Sequence, residues 1–133
     1  MSGVAVVRFL LANNAALIAS VPAAKIMAGV VPLNTVLPAV SVMEVSGVPR
    51  NTVARNEPKQ FIAERVQVSV LAKDYPTQKS LLALVRAALP LSRGTVNSFA
   101  VDSILPDVEG PDFYDDGTVI YMGSQDFIVK FNR

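Results

Sequence analysis

Six carboxylates, Asp102, Asp107, Glu109, Asp112, Asp115 and Asp116, fall between residues 102 and 116 with no Lys or Arg among them. Clustered acids supply the oxygen ligands that Ca²⁺ or Mg²⁺ takes, and two acids flanking a cleft are what glycoside hydrolysis requires. The spacing suits neither chemistry. Asp112-Phe113-Tyr114-Asp115-Asp116-Gly117 puts aromatic residues where an alternating calcium loop needs ligands, and Asp115-Asp116-Gly117 is a turn signal. A chain without Trp, whose acids share one tip, lacks the makings of a sugar cleft. The simpler reading is a solvated acidic turn that doubles as a contact surface. A second charged segment, residues 46–60, carries Arg50, Arg55 and Lys59 together with two prolines. Three cations would add a modest, salt-sensitive phosphate attraction. No aromatic residue is interleaved there to stack on bases. A soluble hairpin tip and a protein-contact arm both fit it.

The rest of the inventory is short of catalytic types. The chain has no His and no Cys, hence no imidazole base, no thiol nucleophile and no thiolate metal site. No phosphate-cradling glycine pattern precedes a helix, and Ser, Lys and Asp occur in no recognisable nucleophile setting. The expectation is a non-enzyme with no cofactor and no metal. A net charge of +1 argues against a general nucleic-acid binder. That neutrality hides segregation: outside residues 102–116 the chain holds twelve basic against five acidic residues, a balance of +7. Complementary patches on one subunit favour head-to-tail contacts that close into rings.

These charges need a scaffold. At 133 residues the expectation is one domain spanning 1–133. An apolar fraction of 51% with only 17% charged residues is greasy for a free monomer. Arg8 interrupts the apolar start, and no uncharged apolar run is long enough to span a bilayer, so a soluble intracellular chain with no membrane partner is expected.

Val7, Leu10, Leu11, Leu17 and Ile18 recur at helical spacing, which predicts one amphipathic helix over residues 3–20 with Ser2 as its cap. Residues 25–28 read as a short extended piece and 37–45 as a strand. Residues 61–72 read as a second strand, with Val66, Val68 and Val70 alternating against Arg65, Gln67 and Ser69. Asp74-Tyr75-Pro76 opens a second helix that Pro90 stops. Strands follow over 96–104 and 118–131, separated by the acidic excursion 105–117. Met122 and Phe127 differ in parity, and Gly123-Ser124 is where a bulge would put them on one face. The order is α-β-β-β-α-β-β: an α+β fold with a mainly antiparallel, twisted sheet and two helices packed on one face.

This layout resembles the tail-completion, or tail-terminator, family of long-tailed bacteriophages, small proteins at the head-to-tail junction. The landmarks are Ala15-Ala16-Leu17-Ile18-Ala19-Ser20-Val21 followed by Ala24-Lys25-Ile26, then Leu37-Pro38-Ala39-Val40-Ser41-Val42 and Glu64-Arg65-Val66-Gln67-Val68-Ser69-Val70. Asp74-Tyr75-Pro76 then leads into a helix ending Val85-Arg86-Ala87-Ala88-Leu89, and the chain closes with Phe127-Ile128-Val129-Lys130-Phe131. The resemblance implies a structural virion protein, present in the host cytoplasm during assembly. It would form a homohexameric ring that completes or terminates the tail tube. Its partners would be its own copies, the tail tube protein and a head connector or stopper protein, with DNA passing through the ring without specific binding. There is no active site to carry over. The candidate interface residues are Arg50, Arg55 and Lys59 on one arm and Asp107, Glu109, Asp112, Asp115 and Asp116 on the other. The alternatives are another small phage tail-tube or connector component, or a small metal-binding protein using the acidic loop.

Overall fold

The computed structural model describes residues 2–29, 31–32, 36–50, 61–89, 94–96, 99–117 and 119–132. Helices α1 (Ser2–Ala12) and α2 (Ala15–Ile18) lead through a 3₁₀ turn at Ala23–Lys25 into β1 (Ile26–Ala28). A long hairpin of β2 (Ala39–Arg50) and β3 (Phe61–Ala72) is followed by α3 (Tyr75–Ala88), β4 (Gly94–Val96), β5 (Phe99–Glu109), β6 (Phe113–Asp115) and β7 (Ile120–Asn132). One seven-stranded sheet runs β1-β2-β3-β7-β5-β4, with β6 also paired to β7. All pairings are antiparallel except β1 with β2. The α+β class with a mainly antiparallel sheet therefore holds.

The single helix expected over 3–20 is two. Asn14 is extended, and its side chain accepts the Leu17 N–H at 3.0 Å, capping α2. Its neighbour Asn13 donates its side-chain amide to the Phe9 carbonyl at 2.7 Å. Side chains that compete for backbone bonds have here ended one helix and started another. Ser2 lies inside α1, not ahead of it. Asp74 caps α3 as the sequence suggests, accepting the Thr77 N–H at 2.7 Å.

Strand length is the larger correction. Residues 46–50 continue β2 against residues 61–65, past a bulge between Glu44 and Ser46. Only residues 51–60 of the expected excursion are left, and these lie outside the described residues. The expected strand over 96–104 is replaced by β4 and by β5, which reaches Glu109. β6 takes up three more residues of the acidic segment. The bulge expected at Gly123-Ser124 does not exist against β3, where register runs unbroken from Ala72↔Tyr121 to Phe61↔Asn132. Met122 and Phe127 point to opposite faces, as their parity dictates.

On one face Gly123, Gln125, Phe127, Val129 and Phe131 of β7 join Val66, Val68 and Val70 of β3. Val6, Val7 and Leu11 of α1 and Leu81, Leu82 and Val85 of α3 close over them in one buried cluster. The approach is close: a Cβ on Gly123 would run into the Gln78 amide and lie 2.9 Å from Leu82 Cδ1. Glu64 is buried on this same face under the first turn of α1, where Gly3 has no Cβ to clash with its carboxylate. Burial pushes its carboxyl above the usual value. The opposite face carries Arg65, Gln67, Ser69, Asp126, Ile128 and Lys130, and no described helix covers it.

Replacing fully buried Phe127 with Ala is expected to lower stability by about 3–5 kcal/mol. Phe113→Ala, at a position 56% exposed, should move it by no more than about 0.5 kcal/mol. Urea unfolding of the two variants measures the contrast.

Candidate functional site

The acidic segment is built as sheet, which changes what its carboxylates can do. β5 lies along β7 with Val101 opposite Phe131 and Ile104 opposite Val129, so its apolar positions join the core. Two extra residues interrupt this pairing, one between Val101 and Ser103 and one between Pro106 and Glu109. A bulge leaves carbonyls without ladder partners. At the second bulge the buried Gln125 amide donates to the carbonyls of Asp107 at 3.3 Å and Val108 at 3.4 Å. The Gly110 N–H then donates to the Ser124 carbonyl at 2.9 Å, carrying the chain on to β6.

Three of the five predicted acidic interface residues are engaged within the subunit. Asp107 pairs with Arg65 at 2.5 Å, and the same guanidinium reaches Asp126 at 3.2 Å, so one cation ties β3, β7 and β5 together. Glu109 lies 3.7 Å from Arg86 of α3. Asp112 is a hub: it accepts from Tyr75 Oη at 2.7 Å, Lys79 Nζ at 3.0 Å and Gln78 Nε2 at 3.3 Å. Its location explains α3's polar edge, since Tyr75, and Gln78 and Lys79 one turn further on, all reach Asp112 in the link between β5 and β6. Lys79 Nζ also lies 5.2 Å from the Tyr75 ring centroid.

Asp115 and Asp116 are exposed at the hairpin tip between β6 and β7. Asp115 accepts the Gly117 N–H at 3.1 Å through Oδ1, which shapes the turn. Arg50 ends β2 at the far end of the long hairpin, its side chain outside the described residues. Arg55 and Lys59 lie outside the described residues altogether. Among the described residues no group of three acids could hold a metal ion.

The apolar partners of these acids escape charge counting. Phe113 and Tyr114 are 56% and 48% exposed beside Asp115. Tyr114 packs on Tyr121 at 4.5 Å between centroids, and Tyr121 meets Tyr75 edge-on at 6.0 Å. Val119 sits in the same turn at φ +54°, a conformation that β-branched residues avoid. On the long hairpin Met43, Val45 and Val48 are exposed as well. The signal was in the sequence, as aromatic residues set between acids, but it read there as evidence against metal ligation.

The family model for tail completion protein gp17 matches residues 5–130. No curated protein matches the chain. Among solved structures, a chain of the virion of a native gene transfer agent particle superposes with a TM-score of 0.68 at 15% identity. The match covers 98% of this chain and 94% of that one. At that identity the likeness speaks for the fold.

The hub makes stability depend on pH with a definite sign. The Tyr75 hydroxyl first, then Lys79, hold the Asp112 carboxyl below its ordinary 3.8. A folded value below the unfolded one means the contribution is present above about pH 4 and disappears as pH falls through the folded value. Asp112→Asn is therefore expected to flatten the acid limb of a urea-midpoint profile between pH 6 and pH 2.5, relative to the native chain. An unchanged limb would show that the hub does not hold the acidic edge.

Proposed function

The chain belongs to the tail completion protein gp17 family, and on that premise we propose that its copies close into a ring at the head–tail junction, terminating the tail tube. In this reading the ring is a homohexamer in the virion. One side contacts the tail tube protein and the other a head connector or stopper protein, while DNA passes through without specific binding. Assembly takes place in the host cytoplasm. The role is structural, as the family description implies, and it involves no catalysis.

The observation that carries the reading is apolar surface left unburied on well-formed strands. Met43, Val45 and Val48 line the long hairpin, while Leu105, Val108, Phe113 and Tyr114 line the acidic edge. A free monomer has no use for two such stretches, whereas contact surfaces in an assembly do. Exposed ion pairs contribute only about 0–1 kcal/mol each, so the charges alone would not hold a ring. Apolar contact repeated around a symmetric assembly would.

Light scattering over a concentration and salt series, with negative-stain imaging of any large species, tests this. A closed ring that loosens as salt rises is expected. A monomer at every concentration, with or without tail tubes added, would contradict it.

A further inference from the structure

The two edges of the sheet differ in a way that suits one copy to the next. At the β1 edge an open groove of about 350 Å³ lies between α1 and β1, lined by Val4, Ala5, Phe9, Ala12 and Ala28 with Arg8 and Asn13 as its polar members. Alanines at three of these positions leave the room, and Phe9, 42% exposed, stands at the side. Arg8 supplies the charge. Its Nε donates to the Ile26 carbonyl at 2.9 Å, which fixes the guanidinium over the groove, and no described carboxylate pairs with it.

At the other side of the sheet stands the β6–β7 tip, where Phe113 and Tyr114 are exposed next to Asp115 and Asp116. Asp107, Glu109 and Asp112 are held by Arg65, Arg86 and Lys79, whereas Asp115 and Asp116 pair with no cation among the described residues. Val119 holds the tip in an unfavoured backbone conformation, a feature that concentrates at sites of function. The tip is an aromatic pair with negative charge, and the groove is an apolar trough with one positive charge.

We propose that the Phe113–Asp116 tip of one copy seats in the α1–β1 groove of a second copy, with an aromatic side chain in the trough and Arg8 against the tip carboxylates. This rests on the ring reading above and names the contact that would build it. The groove lies at the β1 edge, whereas β6 pairs β7 on the flank away from β3, so β2, β3 and β7 stand between them. Each copy therefore offers one and receives one, the heterologous arrangement that closes into a ring when the rotation permits. Burying an aromatic anchor beside a desolvated charge pair is also where interface energy concentrates.

The native chain has no Cys, so introduced thiols report on this contact alone. A chain carrying Phe9→Cys and Tyr114→Cys, treated with a short bis-maleimide, should give a covalent ladder ending at the ring's subunit number. A chain carrying Phe9→Cys alone should not. Arg8→Glu alone, and Asp115→Arg with Asp116→Arg, should each weaken self-association by about tenfold or more, and combining them should restore most of it. That rescue separates a lost contact from a damaged fold. If the native chain assembles but neither the ladder nor the rescue is seen, the groove–tip contact is wrong and the ring stands. If the native chain never self-associates, even on tail tubes, both readings fall.

Discussion

The alternation along β7 governs the rest of the structure. Phe127, Val129 and Phe131 occupy every second position and must all leave water on one side. Because β7 pairs with β3 on one flank and with β5 and β6 on the other, its register sets which residues of three neighbours are buried. A shift of one residue would carry the aromatics to the uncovered face and put Lys130 and Asp126 beneath the helices. Close packing follows from the same strand. Gly123 lets α3 come down onto the sheet with Gln78 and Leu82 against the backbone.

Polar side chains inside that apolar layer work where regular structure stops. Gln125 lies on the core face of β7, yet its amide supplies the donors that the β5 bulge lacks. Gln78, on the buried face of α3, directs its amide at Asp112, just before β6. Each amide is bonded through its nitrogen, while the oxygens of Gln78 and Gln125 are buried without a partner among the described residues, and the nitrogen bonds attach an irregular, highly charged stretch to the hydrophobic body. The acidic edge thereby becomes a rigid part of the subunit. Its charges divide into those paired with Arg65, Arg86 and Lys79 and those that face outward.

Such a division suits an assembly part. A pair satisfied within the subunit keeps the edge in shape and lends little to a partner. An outward carboxylate beside exposed aromatics can add both steering and contact. The asymmetry between the β1 edge and the opposite edge gives each subunit a direction, and a direction is what a head-to-tail ring requires.

Much of this is legible in the sequence. The β3 strand over 61–72, the Asp74 cap, the helix up to residue 88 and the α+β class follow from local periodicity and local capping, which depend on neighbours in sequence. The acidic segment did not follow. Its prolines, glycines and aspartates read as a loop, and only pairing with β7, distant in sequence, turns residues 105–109 and 113–115 into strand. Likewise the sequence could number the acids but could not sort them. Arg65 lies some forty residues from Asp107, and only the sheet brings them to 2.5 Å. The sequence by itself determined the periodic elements, β3 and α3 above all, and the faces they bury, because side-chain period is a local property. Tertiary structure alone decided which charges are neutralised and which remain at the tip, because ion pairing depends on distance in space across strands that the chain order keeps apart.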